Sequence, residues 1–262
     1  MLYFNIFIFS FIFNLLFLFI VKRIINYLSF KNFSDEMQIV QILKQGMVGM
    51  SVYTNFLIIL LFTNKVDKYV YGIVLGTTII LVMGIIDDVK KLRFITKLLI
   101  QFSVVLTLLL FDIRIKKIGV THLIENAILN IDYYGVLLTV LWVISILYII
   151  EFKKNMENII YGISIFITLI LFSVSILFND YITLIFSITI LGSCLSILIY
   201  SFRYPDIKFG HTGIQTLGFT ISLIPIISIN KTNNPFYIID NAVILAIMFL
   251  SILLPVFDRE KK

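Results

Sequence analysis

The sequence has little of what staples or punctuates a soluble domain. Its 262 residues include one cysteine, four prolines and twelve glycines, and only 14% are charged. With Cys194 alone, an intrachain disulfide is excluded. There is no Pro- or Ser-rich linker and no internal repeat, and no hydrophilic stretch approaches the roughly 50 residues of the smallest domains. A function built on a separate globular domain is therefore excluded, and residues 1–262 read as a single integral membrane domain. What the chain does have is apolar surface. It is 60% hydrophobic, with 25 phenylalanines and a mean hydropathy of +1.05, against about 45–50% apolar residues in soluble domains.

Nine apolar segments stand out, at 2–20, 46–64, 69–86, 94–111, 134–150, 159–178, 181–200, 213–229 and 240–257. Each is close to the ~20 residues that cross ~30 Å of hydrocarbon as a helix. None shows the alternation of a β-barrel strand. The expected fold is all-α, a polytopic bundle of about nine transmembrane helices. The first segment lacks a basic leader and a small-residue cleavage site, so it reads as a retained helix rather than a signal peptide. Fifteen of the 21 Lys and Arg fall on one side of this topology. The positive-inside rule makes that side cytoplasmic, with the N-terminus outside and the C-terminus inside. The net charge of +6 thus encodes orientation rather than a nucleic-acid surface.

Four polar groups fall on that same side. Asp87 and Asp88 end an apolar run just before Lys90, Lys91 and Arg93. Ionisable groups at a membrane boundary are functional candidates, although a solvated helix end explains the pair equally well. Lys97 and Gln101, four apart, share a helix face. Lys97 could meet a phosphate or could snorkel to the interface. The loop from Glu151 to Asn158 is strongly charged, which suits either a tight turn or a plain positive-inside loop. From Phe209 to Phe219, glycines flank His211 and Thr212. A helix starting there would offer a natural phosphate site, with Thr212 as its cap, while a lone His is more often an interface residue.

Taken in order, these pieces resemble the polyprenyl-phosphate N-acetylhexosamine-1-phosphate transferase family, glycosyltransferase family 4, which includes the peptidoglycan translocase. Gly84-Ile85-Ile86-Asp87-Asp88 with Leu92 matches the family's Gly-x-x-Asp-Asp motif, and Lys97 and Gln101 match the Lys and Gln that follow it. Lys44-Gln45-Gly46-Met47-Val48 resembles an early Pro-Arg-x-Gly-Gly. Phe209 to Phe219 resembles Met-Gly-Asp-x-Gly-Ser-x-x-Leu-Gly-Phe, and Leu254 to Asp258 resembles a late Val-Pro-x-x-Asp. The resemblance implies transfer of a sugar-1-phosphate from a UDP-sugar to a polyprenyl phosphate, such as undecaprenyl phosphate, with release of UMP and with Mg²⁺. It implies catalytic roles for Asp87 and Asp88, and substrate binding by Lys97, Lys154, Glu157, Gly210 and Gly213. It implies metal ligation by Asp87, Asp88, Glu151 and His211. The implied partners are polyprenyl phosphate, a UDP-sugar and membrane lipid, with no nucleic acid and with a homodimer as the candidate assembly. The implied setting is the cytoplasmic (inner) membrane, active face inward, in cell-envelope polysaccharide synthesis.

The departures are specific. The family's Asn-x-x-Asn-x-x-Asp-Gly-x-Asp-Gly motif aligns in two ways. One puts Asn155 and Asn158 at the asparagines, with Tyr161 and Ser164 at the acids. The other keeps the usual spacing from Trp142 and matches Gly162-Ile163-Ser164. It puts Tyr148 and Glu151 at the asparagines, Lys154 at the first acid and Glu157 at the second. The second needs no insertion and is preferred. His211 stands where an Mg²⁺-binding Asp is usual, a poorer Mg²⁺ ligand that suits a transition metal better. The sequence ends at Lys262, before the family's last cytoplasmic loop and helix, so the resemblance is to a divergent, C-terminally short member. The alternative reading is a degenerate relative that binds the lipid carrier or an active partner without turnover. A small transporter fits less well, because the apolar segments hold almost no midplane charge.

Overall fold

The structure is a computed structural model that describes residues 2–29, 34–63, 68–120, 127–130, 132–152, 157–177, 180–204 and 210–231. Eight helices follow in order: α1 (Leu2–Ser29), α2 (Ser34–Thr63), α3 (Lys68–Val89), α4 (Phe94–Leu110), α5 (Asp132–Phe152), α6 (Glu157–Leu177), α7 (Tyr181–Arg203) and α8 (Gly210–Lys231). They correspond to the first eight apolar segments. The ninth, at 240–257, and the Leu254 to Asp258 match lie outside the described residues. Four helices contain stretches long and apolar enough to cross a membrane, Tyr3–Leu28, Ile42–Thr63, Lys68–Val89 and Tyr181–Arg203, and shorter apolar stretches occupy α4, α5 and α6.

One element departs from the all-α expectation. Between α4 and α5, strand β1 (Lys117–Val120) pairs antiparallel with β2 (Ala127–Asn130), Lys117 opposite Asn130. Four-residue strands are too short for hydrophobic alternation to separate them from a loop in the sequence. The turn into this hairpin is set by the end of α4. Asp112 takes a left-handed φ of 61°. The N–H groups of Asp112 and Ile113 return to the carbonyls of Leu109 and Leu108, which is the Schellman pattern of helix termination. Lys116 and Arg114 then pair with the Asp112 carboxylate and hold it below the usual carboxylate range.

The bundle is arranged around α8. From His211 to Ile227 every α8 residue is buried, including Thr212, Gln215, Thr216, Thr220 and Ser222. Helices α2, α3, α5 and α7 pack around it. The outward surface is apolar instead. Helix α1 exposes Phe4, Phe9, Ile12, Leu16 and Ile20, and α4 exposes Ile95, Leu99, Phe102, Leu106 and Leu110. A surface this apolar needs a nonpolar solvent, and lipid supplies one. The hydroxyls inside α8 meet the demand for internal partners by turning onto their own helix: Thr216 donates to the Thr212 carbonyl, Thr220 to Leu217 and Ser222 to Phe219. Pro225 lies inside α8 and removes one N–H from the helix ladder. One turn earlier, the buried Trp142 indole of α5 donates to the Ser222 carbonyl at 2.8 Å.

A second polar contact ties the flank of the bundle. The Asn14 and Asn55 amides both donate to Ser193 Oγ, at 2.9 and 2.7 Å, joining α1, α2 and α7. All three side chains are buried. Interhelical bonds of this kind contribute about 0.6 to 1.7 kcal/mol. Asn55→Ala is expected to lower the melting temperature in detergent micelles by about 2–4 °C, the shift for ~1 kcal/mol in a chain of this size. An unchanged melting curve would show that the bond is not maintained.

Candidate functional site

Residues from all four of the polar groups meet at one end of the bundle, where α3 and α5 end and α4 and α8 begin. Asp87 and Asp88 occupy the last turn of α3. Neighbouring residues on a helix point about 100° apart, so the two carboxylates turn to different partners.

Asp88 turns to the start of α8. Its Oδ1 accepts from the His211 N–H, and its Oδ2 accepts from the Thr212 N–H at 2.9 Å and from the Thr212 hydroxyl. The α8 N-terminus is thus capped by a carboxylate from 123 residues earlier in the chain. This placement changes two expectations. Thr212 is a donor within the first turn rather than the cap. The N–H groups that made this helix start a phosphate candidate already hold Asp88, because the helix dipole and free donors attract the nearest anion. The fit is close. Gly210 has φ +60°, and a Cβ there would collide with the Gln45 carbonyl oxygen and lie 2.8 Å from Asp88 Oδ2. A Cβ on Gly84 or Gly49 would come within 2.5 Å of Thr212 atoms. Gly210 therefore positions the chain between α2 and α3, and Gly213 is buried in α8.

Asp87 turns inward and is 1% exposed. Its Oδ1 accepts from the Leu92 N–H at 2.8 Å, which closes the α3–α4 turn. Its Oδ2 lies 2.7 Å from Lys97 Nζ and 2.8 Å from His211 Nδ1. Lys97 Nζ also bonds Glu151 Oε1 at 2.5 Å, and His211 Nδ1 lies 3.8 Å from that oxygen. From Glu151 the contacts continue inward. Gln215 donates to Glu151 Oε2 at 2.7 Å, and Gln101 donates to Gln215 Oε1 at 3.2 Å. Four helices thereby converge on one network. Lys97 and Gln101 of α4 share a face as their spacing requires. Gln215 was not singled out in the sequence. Its signal was the four-residue spacing from His211, which puts both on one face of α8.

Donor atoms of Asp87, Glu151 and His211 lie within 4.8 Å of one another, a grouping able to hold a metal ion. Asp88 is not part of it. The two carboxylates suit Mg²⁺, but the imidazole nitrogen does not, and the set as a whole fits a borderline transition ion such as Mn²⁺ or Zn²⁺ better. Around the cluster, Lys90, Lys91 and Arg93 form an exposed basic rim. Lys154 lies outside the described residues. Glu157 begins α6, and its side chain also lies outside the described set, so the cluster is built without either of them.

Comparison with known proteins places this end of the bundle in a context. The family model for glycosyl transferase family 4 matches residues 70–229, a span that holds Asp87, Asp88, Lys97, Glu151, His211 and Gln215. The chain is also 27% identical over 187 residues to a probable undecaprenyl-phosphate N-acetylglucosaminyl 1-phosphate transferase of Bacillus subtilis (strain 168). That alignment covers 71% of this chain and 50% of the relative, so the chain spans about half the length of the curated protein it matches.

Proposed function

The chain belongs to glycosyl transferase family 4, and from that premise we propose that it transfers a sugar-1-phosphate, as N-acetylhexosamine-1-phosphate, from a UDP-sugar to a polyprenyl phosphate. In this reaction a phosphate oxygen of the lipid carrier attacks the β-phosphorus of the nucleotide sugar. The bond from that phosphorus to the bridging oxygen breaks, the electron pair leaves with UMP, and a lipid-linked diphosphate sugar forms. Such transfers depend on positioning and on charge neutralisation around the phosphoryl group. The observation that carries the reading is the Asp87–Lys97–Glu151–His211 network, held at one end of an apolar bundle inside the matched span.

Each part has a task in that reaction. The basic rim of Lys90, Lys91 and Arg93 draws anionic head groups to the membrane surface. Lys97 is the ammonium nearest the floor and is the candidate to meet a transferring phosphate. The floor itself is acidic and would repel a diphosphate. A divalent ion on Asp87, Glu151 and His211 would reverse that sign and neutralise charge on the diphosphate. Asp88 fixes the turn that carries His211. The apolar outer faces of α1 and α4 suit a protein seated in the same bilayer as its polyprenyl substrate, with the rim facing the cytoplasm, where nucleotide sugars are found.

The test is direct. Membranes containing the protein are supplied with UDP-N-acetylglucosamine labelled in the sugar and with undecaprenyl phosphate. The expected result is label in the lipid fraction and stoichiometric UMP. Binding of undecaprenyl phosphate without UMP release, across UDP-N-acetylhexosamines and added divalent ions, would support the non-catalytic reading instead. The substitution of His211 for the family's usual Asp is the observation that keeps that second reading in view.

A further inference from the structure

Asp87 Oδ2 and Glu151 Oε1 both contact the Lys97 ammonium, at 2.7 and 2.5 Å. His211 Nδ1 faces the same two oxygens, at 2.8 and 3.8 Å. Two ligands about 2.1 Å from one ion, at tetrahedral or octahedral angles, lie about 3.0–3.4 Å apart, and the observed separations fall on either side of that range. Asp87 Oδ2, on a side chain 1% exposed, has no aligned hydrogen bond among the described residues. Its contacts are charge contacts directed at the centre of the cluster. Three donors from α3, α5 and α8 therefore surround a point beside which α4 has lodged its ammonium.

We propose that Asp87, Glu151 and His211 form a site for a divalent transition ion, of the Mn²⁺ or Zn²⁺ class, and that Lys97 is its displaceable plug, leaving on metal entry to meet the substrate phosphates. Only this destination of Lys97 rests on the transferase reading. Metal entry itself does not.

The chemistry favours the exchange. A buried carboxylate beside a half-buried one, Asp87 and Glu151, is costly without a counterion at an apolar bundle end, and Lys97 supplies that counterion while the site is free of metal. A divalent ion bound to the same oxygens repels an ammonium held at hydrogen-bonding distance and withdraws the negative charge that kept it there, so metal entry drives the ammonium away. Lys97 is able to leave. It sits in the first turn of α4, its side chain is 12% exposed, and its four-carbon stem is flexible. The exposed side chains just before α4, Lys90, Lys91 and Arg93, are cationic as well, so an anion that joins the expelled ammonium meets several positive charges together. Metal loading would thus create the phosphate-binding cation at the moment the acidic floor is neutralised. His211 sets the selectivity, since an imidazole nitrogen favours borderline ions over Mg²⁺.

The experiment uses the full chain in detergent, stripped of metal, without nucleotide sugar or lipid. Mn²⁺, Zn²⁺ or Mg²⁺ is added while an amine-reactive acylating reagent reports on each lysine by mass spectrometry. Labelling of Lys97 is expected to rise severalfold with Mn²⁺ or Zn²⁺, with Lys90 and Lys91 unchanged, and Mg²⁺ is expected to need at least about tenfold higher concentration. Lys97→Met is expected to bind Mn²⁺ about tenfold more tightly than wild type, and His211→Asp to shift the preference toward Mg²⁺. Lys97 labelling that is unchanged or falls on metal addition overturns the proposal, as does equal affinity for Mn²⁺ and Mg²⁺. The labelling is read in the wild-type protein, so the test survives a variant that fails to fold. Metal-driven labelling without UMP release would leave this inference standing and remove only the transferase reading.

Discussion

Asp87→Asn is expected to lower UMP release by about 10²–10³-fold, the loss typical of removing one preorganised electrostatic group from an active site. The substitution is nearly isosteric. An asparagine carbonyl can still accept from the Leu92 N–H, so the α3–α4 turn is retained. What disappears is the negative charge at Oδ2, the atom that meets both Lys97 and His211. An amide NH₂ in its place would present a donor to an ammonium, and Lys97 would be left with Glu151 alone. The melting temperature should change little, because the turn bond and the Lys97–Glu151 pair survive. Activity above a tenth of wild type in a folded Asp87→Asn protein would remove this carboxylate from the reaction.

The neighbouring substitution, Asp88→Asn, should behave differently although the residue is adjacent and the chemical change identical. Among the described residues Asp88 accepts from three donors, His211 N, Thr212 N and Thr212 Oγ1. An asparagine has one acceptor oxygen, so at least one buried donor loses its partner at a cost of about 1–3 kcal/mol. In a chain of this size each kcal/mol lowers the melting temperature by about 2–4 °C. UMP release should fall to background as well, because the displaced turn carries His211 away from Asp87. A longer acid is not expected to rescue the site, since the Gly84 and Gly210 positions leave no room beside Thr212. The pair of substitutions therefore separates two roles. Asp87→Asn should cost activity with little stability, and Asp88→Asn should cost both. Equal effects on stability would contradict the division of labour seen in the structure.

That division could not be read from the sequence, which offered Asp87 and Asp88 as one motif. The 100° step between helix neighbours was predictable in principle. Which neighbour faced inward depended on where α8 entered. The Gly84 position was recognised as part of a motif and Gly49 was not, yet their shared purpose, letting the first turn of α8 approach α3 and α2, required the three helices together. Glu151 was a candidate only through an alignment chosen between two, and it reaches the cluster because α5 continues to Phe152. Gln215 was missed because its signal, the four-residue spacing from His211, gains meaning only once His211 is known to face the cluster. The β1–β2 hairpin was missed because its strands are too short to show a period.

The sequence by itself determined that this chain forms a bundle of apolar helices, where those helices fall, and which polar residues gather at the helix ends. These follow from hydrophobic run length, charge placement and local spacing, all properties of a chain segment and its solvent. Only the tertiary structure decided that α8 is the buried centre, that Asp88 is a cap while Asp87 faces a cluster, and that Lys97 occupies the place between two carboxylates. Those outcomes depend on contacts between residues far apart in the chain, such as Lys97 with Glu151, 54 positions away, and Asp88 with Thr212, 124 away. No local pattern encodes which carboxylate a distant ammonium or helix terminus will reach first. That choice is made when close packing of the helices fixes the distances.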